Sequence, residues 1–152
     1  MKKLISLVIL IGLGFSSPVS AQSLPPIRAR ETVQAVVNEH IDALNRCDWT
    51  RVMAQYPDDV SFMGPNGTTI QGRQNIGDLF SGFCRTRKEG GFKGAKLIPE
   101  VTIVVGNTVN VSWRIEADYL SEPYKGADAY VMRDGLLAVQ VTTFDPSQMK
   151  LR

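Results

Sequence analysis

The chain holds one histidine, His40, and two cysteines, Cys47 and Cys84, in 152 residues. Neither cysteine has a CxxC partner, which argues against cysteine-based metal or redox chemistry. There is no Gly-rich phosphate loop, no metal-ligand cluster and no Ser-His-Asp spacing, so nucleotides, metals and acyl transfer lack support. An excess of charge is missing too. Seventeen Lys and Arg face 15 Asp and Glu, and two of the lysines, Lys2 and Lys3, belong to an expected leader. Beyond it the count is 15 against 15, leaving no overall electrostatic footprint for nucleic acid or an anionic membrane.

Long hydrophobic runs are absent with one exception. Leu4 to Phe15 is apolar apart from Ser6, Gly12 and Gly14, well short of the ~20 residues that span a bilayer. Lys2-Lys3 precede the run and Val19-Ser20-Ala21 follow it, the three-part pattern of a secretory signal peptide over residues 1–21. No Cys follows the expected cleavage point, which argues against a lipid anchor. The mature chain is therefore expected in a periplasm or outside the cell. An oxidising compartment permits a Cys47–Cys84 bridge, worth roughly 3–4 kcal/mol in the chain-entropy model. Two separately buried thiols fit the same sequence.

What is present reads as one domain. Residues 22–31, with Pro25-Pro26, form a connector. The domain spans residues 32–146, and residues 147–152 form a tail. Val33, Val36, Val37, Ile41 and Leu44 lie at helical spacing behind Thr32, a good cap, and predict a helix to about Arg46. Asp48 caps a second helix from Trp49 to Tyr56. Val60 to Met63, a turn at Pro65-Asn66-Gly67 and Thr68 to Gln71 read as a hairpin. A third helix, Arg73 to Cys84, buries Ile76, Leu79, Phe80 and Phe83. Strands follow over Ala95 to Val105 and Thr108 to Leu120, then a loop over Ser121 to Gly126. Ala127 to Arg133 and Leu136 to Phe144 close a hairpin around Asp134-Gly135. The fold class is α+β, three helices packed on a curved antiparallel sheet in a cone. Such a cone leaves a cavity for a small ligand. On the other face of the sheet Arg114, Glu116 and Asp118 either meet solvent or form a homodimer contact.

Two polar residues fall on the inward side. His40 follows Val36 and Val37 and precedes Leu44 on the apolar stripe, so its ring points at the sheet. It is either a hydrogen-bonded core histidine or a functional group. Asp128 shares a strand face with Tyr130 and Met132. A buried carboxylate there needs a partner or a proton; with the faces reversed it would be exposed.

Val36-Val37-x-x-His40-Ile41-x-Ala43-Leu44-Asn45-x-x-Asp48, followed by Tyr56-x-Asp58-Asp59-Val60, resembles the opening of NTF2-like domains. That group includes ketosteroid isomerases and SnoaL-like polyketide cyclases. Ile70-x-Gly72-x-x-x-Ile76 and Asp134-Gly135 are similar too, so the resemblance runs from about Thr32 to Phe144. It implies the cone fold and leaves the activity open, because this fold hosts enzymes and plain binding modules alike. By position, the resemblance puts His40 where ketosteroid isomerases carry an oxyanion-binding tyrosine and Asp128 where they carry a protonated aspartate. In SnoaL-like cyclases the aspartate at that strand position is the acid/base. The isomerase's proton-shuttling aspartate corresponds to Gly64, which cannot take a proton.

Two functions follow. One is a cofactor-independent lyase or isomerase for a small hydrophobic, aromatic or polyketide- or terpenoid-like molecule, with His40 and Asp128 as acid/base pair. Phe62, Phe80, Phe83, Trp113, Tyr119, Tyr130 and Met132 would line its pocket. The other is a secreted module that binds a small ligand or forms a dimer without catalysis.

Overall fold

A computed structural model describes residues 22–152, so the expected signal peptide lies outside the described residues. α1 (Val33–Asn45) begins where Thr32 accepts a hydrogen bond from the Ala35 amide, the cap expected of it. It buries Val36, Val37, His40, Ile41, Ala43 and Leu44. Each large apolar side chain on that stripe contributes about 1.5–3 kcal/mol by leaving water. α2 (Trp49–Met53) starts at the Asp48 cap and is shorter than expected, with Ala54 closing it. Tyr56 is still fully buried. β1 (Ser61–Met63) and β2 (Thr69–Gln71) make the hairpin that precedes α3 (Arg73–Phe83). α3 buries Ile76 and Phe80, whereas Leu79 is 40% exposed and Phe83 half-buried. The expected burial of all four fails because Leu79 and Phe83 border an opening between α3 and the sheet.

β3 (Lys96–Val105), β4 (Thr108–Glu116), β5 (Tyr124–Arg133) and β6 (Leu136–Thr142) complete a six-stranded sheet ordered β2-β1-β6-β5-β4-β3. β1 runs parallel to β6 and every other pair is antiparallel, so the sheet is mixed. A register shift lies between Pro99 and Val101; proline cannot donate to the ladder. β4 stops at Glu116, which removes Ala117 and Tyr119 from its alternating face. β5 starts at Tyr124, inside the stretch read as a loop. The expected tail is docked: Leu120 bridges to Leu151, and Ser121 donates to the Lys150 carbonyl.

Val109, Val111, Trp113 and Ile115 fill the concave side against the helices. On the convex side Arg114 pairs with Glu100 and Glu116, and Lys125 with Glu100. The connector lies along the helices, where Arg73 donates to the Pro25 carbonyl and Arg28 to the Ala54 carbonyl. Cys47 and Cys84 are disulfide-bonded with Cα atoms 5.5 Å apart, tying the end of α1 to the end of α3. No described helix is long and apolar enough to cross a membrane.

Candidate active site

The strand register builds the site. Asp128 on β5 stands opposite Val111 on β4 and Thr142 on β6; the next inward row is Tyr130, opposite Val109 and Gln140. Gln140 in turn faces Phe62 on β1. Alternation along β5 therefore puts Asp128, Tyr130 and Met132 on the buried side. Gly126 opposes Trp113, and a Cβ there would come within 2.5 Å of the indole. The bare glycine is what lets the indole lie across β5.

A cavity of about 410 Å³ opens between α3 and the concave sheet. Phe62, Phe80, Phe83 and Trp113, all expected in the lining, are there. Phe92 and Phe144 extend the aromatic wall, with Leu44, Leu97 and Ile115 beside them. Asp128, Gln140 and Thr142 supply its buried polar groups, while Arg85 and Glu89 belong to the exposed part of the wall. Tyr119, Tyr130 and Met132 are not in the lining. Tyr130 and Met132 pack in the core, and Tyr119 donates to the Phe92 carbonyl beneath the Arg87 guanidinium.

Asp128 is 4% exposed, and burial pushes its carboxyl above the usual carboxylate range. Thr142, Tyr130 and Trp113 oppose that rise by favouring the charged form. The Tyr130 hydroxyl donates to Oδ2 at 2.8 Å. Asp128 Oδ1 and Trp113 Nε1 are both buried without a fully formed hydrogen bond. Each belongs to a residue of the cavity wall. In the row behind, the Tyr56 hydroxyl donates to Gln140 Oε1 at 2.7 Å. Burial raises both tyrosines far above the ordinary phenol value, so they stay protonated donors.

His40 is fully buried, but neither ring nitrogen has a hydrogen-bond partner, and it does not line the cavity. Desolvation lowers its pKa to about 3, so the imidazole is neutral. Its ring packs edge-on against Tyr56, Phe80 and Tyr130, at centroid distances of 5.8, 5.9 and 5.5 Å. His40 and Asp128 are therefore neighbours through Tyr130 and not a hydrogen-bonded pair. The cause is local: the Tyr130 hydroxyl occupies the carboxylate's Oδ2, and its ring stands against the imidazole.

Gln140, Thr142, Phe92, Phe144 and Arg85 are site residues that the sequence reading missed. A strand that places Gln140 and Thr142 in alternation with the buried Ala138 carries polar groups on its inward face. That break in the apolar pattern was the available signal. No group of three or more His, Cys, Asp or Glu among the described residues could hold a metal.

The sequence model of the SnoaL-like domain matches residues 37–140. A search of curated proteins finds no match. Among solved structures, an NTF2-like protein of unknown function from Cytophaga hutchinsonii superposes with a TM-score of 0.61 at 17% identity, covering 80% of this chain and 96% of its own. A candidate polyketide cyclase from Sinorhizobium meliloti gives 0.60 at 17%, covering 72% and 94%. A candidate ketosteroid isomerase from Kribbella flavida gives 0.58 at 20%, covering 75% and 81%. These likenesses establish the NTF2-like fold, and the match over most of the folded part establishes the family: the chain belongs to the SnoaL-like domain family.

Proposed function

We propose that the protein is an exported, cofactor-independent lyase or isomerase acting on a small hydrophobic carbonyl compound, with Asp128 as its acid/base. One observation carries the reading: a buried carboxyl, held on one oxygen by Tyr130, has no fully formed hydrogen bond on the other, in the wall of an aromatic cavity. A single carboxyl is enough for the chemistry. Ionised Asp128 takes a proton from the carbon next to the carbonyl, and the electron pair moves onto the oxygen. The indole N–H of Trp113 donates to that oxygen as charge develops. For an isomerase the proton returns to a different carbon. For a lyase it goes to a β-hydroxyl, which leaves as water while the double bond forms. A raised pKa suits both halves, because the carboxylate is then a stronger base and keeps the proton it must give back. His40 acts here as a positioning residue, backing Tyr130 and not touching substrate.

Absorbance at the wavelength of the conjugated enone, followed over a panel of β,γ-unsaturated and β-hydroxy aromatic ketones, tests the reading. Turnover by the mature chain that disappears in Asp128→Asn, with unchanged circular dichroism, supports it. No turnover across the panel, or equal turnover in Asp128→Asn, rejects it.

The binding-only alternative draws on Gly64, where the resemblance puts the isomerase base, and on a cavity wall with one buried carboxyl. Tight binding of the same ketones without any product would select it. The mature domain also pairs through the convex sheet face, where Val101, Ile103 and Val105 are exposed beside charges of both signs. Equilibrium sedimentation reads this directly, and a monomer at every concentration would remove it.

A further inference from the structure

The neutral count of the chain conceals a local asymmetry at the cavity. Between residues 85 and 96 lie Arg85, Arg87, Lys88, Lys93 and Lys96 against Glu89 alone. This segment leaves α3 at the disulfide and supplies Arg85, Glu89, Gly90 and Phe92 to the cavity wall. Its shape is fixed by backbone bonds. The Phe92 amide donates to the Phe83 carbonyl at 2.8 Å, the Gly91 amide to the Thr86 carbonyl at 2.9 Å, and the Lys93 amide to the Arg85 carbonyl at 3.0 Å. Gly91 presses on the Arg85 backbone so closely that a Cβ has no room. Arg87 spends its guanidinium on the rings of Phe92 and Tyr119 and on the Gly91 carbonyl.

The two charges in the wall differ. Glu89 is committed to the segment itself, its carboxylate accepting from the Thr86 amide and hydroxyl, which hold its pKa low. The exposed Arg85 guanidinium makes no ion pair among the described residues. A planar donor fork left open beside an apolar cavity is suited to a carboxylate. The surrounding lysines add a positive field that attracts the same charge.

We infer that the ligand is a hydrophobic carboxylic acid, its aromatic body in the cavity and its carboxylate on Arg85 at the rim, with the reacting carbonyl directed to Asp128. This rests on the reading of the cavity as a small-molecule site and adds the charge of the molecule that enters it. A neutral ligand would make no charge-assisted bond with Arg85. A diacid would place a second carboxylate against Asp128 and be rejected.

Calorimetric titration of the mature chain with biphenyl-4-carboxylate and with its methyl ester tests the inference, in wild type and in Arg85→Gln. The acid should bind wild type about threefold more tightly than the ester, the scale of one charge pair at an exposed rim. Arg85→Gln should erase that preference by bringing the acid's affinity down to the ester's, and raised ionic strength should weaken the acid alone. Equal affinity for acid and ester, or a preference that survives Arg85→Gln, overturns the inference and leaves the cavity reading intact. If neither compound binds, both fall. Binding of the chain to phosphatidylglycerol vesicles without an acid preference would assign the basic segment to a membrane surface and overturn the inference too.

Discussion

Acid should unfold this protein through His40, and the size of the effect can be worked out. The ring is buried with both nitrogens unpartnered, and its pKa falls from 6.5 to about 3. A basic group whose folded pKa is depressed gives its full stability above the unfolded value and loses it as pH falls. At about pH 5 the unfolded chain binds a proton that the folded chain refuses, which costs about 2 kcal/mol relative to about pH 7.5. Asp128 pulls the other way. Its raised folded pKa makes folding take up a proton, so its contribution falls as pH rises from 3.8. The comparison must therefore be between wild type and His40→Leu, which keeps Asp128. Guanidinium unfolding followed by tryptophan fluorescence, with the disulfide intact, should show wild type losing about 2 kcal/mol more than the variant between those two pH values. At neutral pH the variant should be no less stable, because two buried nitrogens without partners are removed. A difference below about 0.5 kcal/mol would refute the argument and mean that the imidazole is hydrated or hydrogen-bonded.

Three further outcomes follow from the geometry. Gly126→Ala drives a methyl into the Trp113 indole and Thr143 hydroxyl; it should cost about 1–3 kcal/mol in a melting experiment and weaken binding of an aromatic ketone. Wild-type affinity in that variant would show that the indole does not shape the cavity. The Cys47→Ser, Cys84→Ser double variant opens a cross-link with a sequence separation of 37 and should lose about 4 kcal/mol in denaturant. A loss under about 1 kcal/mol would place the bridge outside the stability account. Tyr130→Phe removes a hydrogen bond that favours ionised Asp128, so the acid limb of the pH–rate profile should move to higher pH. A limb that stays put, or moves down, would separate Tyr130 from the reacting carboxyl.

Local pattern made much of the fold legible. The stripe from Val36 to Leu44, the Thr32 and Asp48 caps and the alternation of Val109, Val111, Trp113 and Ile115 are all in place. The same arithmetic put His40 and Asp128 indoors. What stayed hidden depends on pairings across long stretches of chain. Nothing local says that Ser61–Met63 lies parallel to Val139–Val141, and that pairing carries Gln140 to Phe62. The relation between His40 and Asp128 was equally hidden, because periodicity assigns a face and cannot show that the Tyr130 hydroxyl reaches the carboxylate. Arg85 escaped notice for the opposite reason. In sequence it is one of many charges after a helix, and only the closure of the segment by Gly91 and Phe92 brings it to the cavity.

The most direct test of the central claim is proton exchange at carbon. A 4-acylbiphenyl ketone incubated in deuterated buffer with the mature chain should lose the proton signal next to its carbonyl, read by NMR. The expected rate is at least about 100-fold above buffer, the scale of one positioned acid/base group. Asp128→Asn, folded and still binding the ketone, should fall to the buffer rate. Exchange that persists in Asp128→Asn would contradict the account, as would a bound ketone whose protons wild type leaves untouched.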